Sequence, residues 1–268
     1  MNPVMASFRD VKPPEPLSGT AGGFAVLGPL EVRVNGRSIE LGAPRQRLLL
    51  AVLLSNVNRA VPVGELIEAL WEEEPPRTAR KNLQAYIANL RKDVCAGAGA
   101  ASILLDQAGY RIAVPWGRLD VEQFGTLARA GSHEVTHGAL QAGVQKLRAA
   151  LDLWRGPAFE EFKHSHRLQE SAARLNARYI SVFESWAEAE LALGNAVSVV
   201  DRIGELAEQH LHRERLTLLR MTALHRTCRT GEALGVYDDL RDRLSRDGLE
   251  PGLLIRRVHQ LMLAEAAR

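Results

Sequence analysis

Cysteine is nearly absent from the 268-residue chain. Cys95 and Cys228 lie far apart without metal-ligand spacing, which removes a disulfide framework and a zinc site and leaves both read as reduced thiols. Aromatic residues make up 5% of the sequence, so its cores must rest on Leu, Val and Ala, a mix that favours helices. The strongest apolar run, around residues 48–54, is too short to span a bilayer, so no membrane partner is expected. Neither sign of charge is in excess: at a formal +2, a nucleic-acid partner has to be argued from local clustering. A P-loop, HExxH, GxSxG and a dinucleotide fingerprint are all missing, so no catalytic residue and no cofactor is expected, and the chain is not read as an enzyme. His164 with His166 and His210 with His212 point apart at alternate spacing on a helix, which makes them surface or core histidines and not metal ligands. Glu160 and Glu161 read as exposed loop acids.

What is present divides the chain into about two domains. Residues 1–23 carry Pro3, Pro13, Pro14, Pro16, Gly19, Gly22 and Gly23 and no targeting pattern, the expectation being a disordered leader in a cytoplasmic protein. From residue 24 to 41, short apolar runs broken by Gly28, Pro29 and the Asn35-Gly36 turn signal predict a small antiparallel sheet. Three helices follow. The first begins after Pro44 with Leu48, Leu49, Val52 and Leu53 at helical spacing, the second spans about 63–71, and the third about 76–94. The stretch ILLDQAGYRIAV then reads as a hairpin turning at 107–109, which completes the layout of a helix-turn-helix unit with a C-terminal wing over 24–115. From 120 to 268 only helical segments occur, punctuated by Gly131, Gly138, Gly156-Pro157, Gly194, Gly231, Gly248 and Pro251. AELALGNAVSVV around Gly194 matches HRTCRTGEALGVY around Gly231 at an offset of 37 residues, near the period of tetratricopeptide (TPR) helix hairpins. The fold class expected is mainly α with a small β component.

The third helix carries the chemistry. At about 100° per residue, Ala79, Leu83, Ile87, Leu90 and Val94 share one side and must face the core. The other side displays Thr78, Lys81, Asn82, Ala85, Ala88, Asn89 and Lys92, flanked by Arg77, Arg80, Gln84 and Arg91. Between 76 and 94 there are five basic residues and one acid. Lys and Arg suit phosphates and guanine edges, Asn and Gln suit adenine edges, and Ala permits close approach; the same composition also describes a solvated helix face. Tyr110 and Arg111 are either the tip of a wing reaching the minor groove or backbone, or, for Tyr110, a core aromatic. Arg45 and Arg47 flank a helix N-terminus suited to phosphate, or are surface charge. The acids Glu72, Glu73 and Glu74 would be repelled by DNA and either meet a basic protein partner or form a solvated loop.

These blocks together resemble the small Streptomyces antibiotic regulatory proteins, in which an OmpR-type winged helix precedes a bacterial transcriptional activation domain. The resemblance covers residue 24 to the C-terminus. It rests on FAVLGPLEVRVNG, GAPRQRLLLAVLL, VGELIEALWEEEPPRTARKNLQAYIANLRK and GYRIAV, and then on DVEQF, LDLWRGPAFEEF, RTGEALGVYDDLRDRL and GLEPG. It implies a nucleoid-associated activator of a biosynthetic gene cluster that binds direct repeats in double-stranded promoter DNA, as a head-to-tail dimer, and recruits RNA polymerase holoenzyme through its sigma factor. Carried over, Lys81, Asn82, Gln84, Asn89 and Arg91 are groove or phosphate contacts, and Glu72, Glu73 and Glu74 a polymerase contact. The chain stops after the helical domain and has no receiver domain, so neither ATP nor phosphorylation is expected to regulate it. The competing reading is a TPR-like helical adaptor that binds proteins and has no specific DNA site.

Overall fold

The structure, a computed structural model, describes residues 23–34, 37–72, 74–95, 101–210 and 212–266. Residues 1–22 of the leader expected over 1–23 lie outside them, as does the Asn35-Gly36 turn, while Gly23 opens the first strand. Two compact units divide the chain: one holds the described residues up to Arg129 together with Ala149–Tyr179, the other Ala130–Arg148 and the described residues from Ile180 onward. The fold class is mainly α with a small β component, as the sequence predicts.

In the first unit an antiparallel sheet of β1 (Gly23–Ala25), β2 (Glu31–Val34) and β3 (Arg37–Ser38) sets Phe24 opposite Val32 and Arg33 opposite Ser38. Helix α1 (Pro44–Ser55) starts on a proline, whose fixed φ suits a first turn and whose missing N–H costs nothing there. Its residues 49–54 are all buried, which marks it as the central helix of the unit. Helices α2 (Val63–Trp71) and α3 (Ala79–Leu90) pack on it through Leu66, Leu70, Leu83, Ile87 and Leu90. The third helix is shorter than the 76–94 expected, because its end relaxes into a π-helical turn, Arg91–Cys95. The hairpin of β4 (Ser102–Asp106) and β5 (Gly109–Ala113) follows, with Ile103 facing Ile112 across it, both buried.

The opening of helix α4 (Asp120–Thr136) and the LDLWRGPAFEEF segment latch the loop after β1. Asp120 Oδ2 accepts the backbone N–H groups of Val26 and Leu27 at 2.8 and 2.9 Å. Arg155 N–H donates to Leu27 O and Phe159 N–H to Val26 O, both at 2.9 Å, while Trp154 lies between Phe124 and Tyr179. Glu161 is exposed, as expected, but it also has a structural part. It accepts the N–H of Leu30 and takes a bidentate hydrogen bond from Arg47, because the latch brings it to the start of α1.

Among the described residues the second unit has helices and no strand. It contains the end of α4, most of α5 (Leu140–Leu151), the C-terminal part of α6 (His166–Ala192), then α7 (Ala196–Gln209), α8 (Glu214–Arg226), α9 (Thr230–Arg246) and α10 (Leu253–Ala266). Gly131, read as a helix break, lies inside α4. A Cβ there would stand 2.8 Å from Leu147 Cγ and 3.0 Å from Gly143 O, so the missing side chain permits a close helix crossing. Met221, Leu224, Ala233, Tyr237, Leu240, Leu244, Ile255 and Met262 form the core of the last three helices.

Helix ends in this unit recur in one form. Gly138, Gly194, Cys228 and Gly248 have φ between +60° and +84°. Each donates its N–H to the carbonyl three residues back, and the next residue donates five back, as in Asn195 N–H to Glu190 O at 2.9 Å and Arg229 N–H to Leu224 O at 2.9 Å. This double bond pattern closes a helix on a left-handed residue. It corrects the repeat offset: Gly194 matches Cys228, 34 residues on, whereas Gly231 lies within the first turn of α9. Val199 and Ala233, related by the same offset, are both fully buried.

Two expected outcomes follow from these features. Cys228 carries a side chain where glycine is favoured, so Cys228→Gly should stabilise the protein by about 1 kcal/mol, read as a raised midpoint in urea. Burial raises the Asp120 carboxyl from 3.8 to about 7, and the N–H groups of Leu27 and Val26 and the nearby Arg155 only partly offset this. Between those values the folded state holds a proton that the unfolded chain has released, so stability should fall as pH rises through the window. Asp120→Asn should flatten that slope in urea titrations across the window; parallel slopes in the two proteins would trace it to other groups.

Candidate nucleic-acid interface

The exposed side of α3 is the site the sequence points to, and its phase is fixed by what it buries. Ala79, Leu83, Ile87, Leu90 and Val94 are all buried, as the helical spacing requires. Arg77, Thr78, Arg80, Lys81, Gln84, Ala85, Ala88, Asn89, Arg91 and Lys92 are exposed and Asn82 half-buried. Among the described residues, the side chains of Arg77, Arg80, Lys81, Gln84 and Lys92 have no hydrogen bond or ion pair within the chain. The donors and positive charge of this face are therefore not used within the described part of the chain.

The flanks of the helix are tied down. Asn82 Nδ2 donates to Thr78 Oγ1 at 3.3 Å across the first turn, and Arg91 Nε donates to Ile103 O at 2.9 Å, fixing the helix end to β4. Asn89 Nδ2 donates to Gln46 Oε1 at 3.4 Å. Before the helix, Trp71 stacks on Tyr86 with ring centroids 6.3 Å apart, and the Arg45 guanidinium lies over Trp71 at 5.7 Å while its Nε donates to Leu70 O. Arg47 is drawn to Glu161 and Leu30 O. The two arginines at the start of α1 therefore hold intramolecular partners as well as facing solvent. Glu72, in a left-handed conformation at φ 53°, and Glu74 are exposed between α2 and α3; Glu73 lies outside the described residues.

The hairpin corrects one expectation. Tyr110 is 6% exposed and belongs to the core, so it forms no aromatic tip. The reason is a backbone bridge: Val61 and Tyr110 exchange N–H to carbonyl bonds of 2.8 and 3.0 Å, which turns the Tyr110 ring inward. Asn58 extends the docking by pairing with Val114 through both amide atoms. What the tip exposes is Leu104, Leu105, Asp106, Gln107 and Ala108, with Arg111 half-buried on β5 opposite Leu104. No alternation count in the sequence shows this, because the decisive partner, Val61, comes from the loop between α1 and α2.

Comparison with known proteins bears on what such a face serves. Residues 36–112 match the family model described as "Transcriptional regulatory protein, C terminal", and residues 119–263 the one described as "Bacterial transcriptional activator domain". The chain belongs to the Streptomyces antibiotic regulatory protein family. It is 31% identical over 246 residues to the regulatory protein DnrI of Streptomyces peucetius, covering 89% of this chain and 90% of that one. It is 34% identical over 242 residues to AfsR of Streptomyces coelicolor, where the match covers 90% of this chain and 24% of AfsR. With the transcriptional regulatory protein EmbR of Mycobacterium tuberculosis it shares 35% identity over 246 residues, spanning 63% of EmbR's length. A solved structure of EmbR, in complex with a low-affinity phosphopeptide, matches with a TM-score of 0.82 and 33% identity over 91% of this chain and 65% of that one. Members of this family are transcriptional regulators, and no enzymatic family is indicated. Among the described residues no cluster of His, Cys, Asp or Glu could hold a metal ion, and no helix is long and apolar enough to cross a membrane.

Sequence reasoning did not anticipate the parts played by Gln46, Asp120 and Glu161; the LDLWRGPAFEEF block marks Glu161, whereas Gln46, between Arg45 and Arg47, carries no such signal. Gly109 is the sharpest test of the hairpin's docking. Its φ is +135°, and a Cβ would stand 2.1 Å from Val61 O. Gly109→Ala should therefore destabilise the protein by more than about 2 kcal/mol in chemical denaturation. An effect near zero would mean that the bridge to Val61 does not hold the hairpin.

Proposed function

We propose that the chain is a sequence-specific DNA-binding activator that lays the exposed face of α3 in the major groove of promoter DNA. The observation that carries this is that Arg77, Arg80, Lys81, Lys92 and the amide of Gln84, on α3 and its two ends, have no partner among the described residues, on a helix whose other side is buried. In this reading Gln84, Asn82 and Asn89 address base edges. Arg77, Arg80, Lys81, Arg91 and Lys92 contact phosphates or guanines, with Thr78 on the backbone. Arg111 meets the flanking backbone, and Arg45 and Arg47 place positive charge at the start of α1.

The family supports a wider proposal. Residues 24–115 act as the DNA-binding domain and 120–268 as the activation domain. The protein works in the cytoplasm on the nucleoid, binding direct repeats upstream of promoters of a secondary-metabolite gene cluster as a dimer. It recruits RNA polymerase holoenzyme, including the sigma factor, with the acidic turn Glu72, Glu73 and Glu74 facing a basic polymerase surface. Phosphate contacts on this scale release counterions, so specific affinity should fall steeply with added salt.

A mobility shift on the promoters of neighbouring genes, at several salt concentrations with unrelated competitor DNA, tests the core of this. The wild-type chain should give a specific, salt-sensitive shift. Lys81→Ala should weaken binding on all sequences and lower the salt slope by about one, whereas Gln84→Ala should cost about 1–3 kcal/mol on the specific site alone. A folded protein with no specific shift at low salt would favour the helical adaptor.

A further inference from the structure

Gln46 sits in the first turn of α1 at 3% exposure, next to an apolar run that is otherwise the heart of the core. A buried amide has to find partners for both ends or its desolvation goes uncompensated. Gln46 finds them on α3 and its continuation. Its Oε1 accepts from Asn89 Nδ2 at 3.4 Å, and its Nε2 donates to Asp93 Oδ2 at 3.1 Å. Asn89 and Asp93 are four residues apart, on the same flank of the helix at its π-helical end. One side chain of α1 thus grips the last turn of α3 and the π-helical turn that follows it, and the amide's polarity dictates which group goes to which end.

We propose that Gln46 is a positioning residue that presents Asn89 to an adenine in the major groove. The inference rests on the reading that α3 enters that groove. With one Nδ2 hydrogen held by Gln46, Asn89 keeps its Oδ1 acceptor and a second Nδ2 hydrogen. These are the two groups that pair with the N6–H and N7 of adenine. The same grip engages the Asp93 carboxylate, the one acid between residues 76 and 94. Gln46 itself touches no base.

Fluorescence anisotropy of the full chain on a labelled promoter site, and on versions with each base pair exchanged, tests this. Gln46→Met keeps the length and apolar bulk while removing both hydrogen bonds, and should cost about tenfold in specific affinity. It should relax discrimination at one A·T pair, the same pair relaxed by Asn89→Ala, with binding to unrelated DNA unchanged. The double variant should be no weaker than Asn89→Ala alone. Combining Gln46→Glu with Asp93→Asn reverses donor and acceptor while keeping both bonds, and should restore wild-type discrimination; Gln46→Glu alone, which sets two carboxylates together, should not. This exchanged pair also serves if Gln46→Met fails to fold. Losses that add in the double variant, or an exchanged pair that leaves discrimination lost, would overturn the positioning role while the wild type still binds its site. A wild type without sequence preference would overturn the DNA reading and this inference with it.

Discussion

Leu83, Ile87, Leu90 and Val94 form a stripe on α3 and its π-helical end with essentially no solvent contact. Their burial against α1 and α2 sets the rotational phase of the helix. Turning α3 by one residue would place Gln84 and Ala88 in the core and shift Leu83 and Ile87 to the half-buried flank held by Asn82 and Tyr86. The apolar free energy at stake, about 1.5–3 kcal/mol for each large side chain, forbids it. The cations and amides on the far side are therefore held outward by the hydrophobic effect on the near side.

Directional polar bonds then refine what burial holds coarsely. Arg91 ties the helix end to β4, Gln46 joins the last turn of α3 and the π-helical turn after it to α1, and the Val61 bridge docks the hairpin on the loop between α1 and α2. Asp120 acts on the loop after β1, where a single carboxylate oxygen takes two backbone N–H groups. Its other oxygen is buried with no partner among the described residues, which is why burial outweighs those two bonds in setting its protonation. Bonds of this kind contribute modestly to net stability but have angular requirements that apolar packing lacks. Their part is accuracy of placement.

In the second unit the organising constraint is local. A helix hairpin needs its first helix to stop cleanly, and each of four ends stops on a left-handed residue whose N–H and whose successor's N–H cap the last carbonyls. Three of those residues are glycine and could be read as helix ends. The fourth is Cys228, which no propensity rule selects, and that is why the apparent period came out three residues too long. Gly131 misleads in the opposite direction, since its absent side chain serves a helix crossing and not a turn.

The sequence by itself determined the order of elements, the mainly helical class, the stripe that α3 buries and hence the residues it exposes. All of these follow from periodicities of two and 3.6 acting over a few turns. Tertiary structure alone decided that Tyr110 faces inward, that Glu161 reaches Arg47, that Asp120 holds the loop after β1 and that Gln46 grips Asn89. Each depends on a partner remote in sequence: Val61, Arg47, Val26 and Leu27, and Asn89 with Asp93. Periodicity says which way a side chain points from its own helix or strand. It carries no information about which distant backbone or side chain will be waiting there.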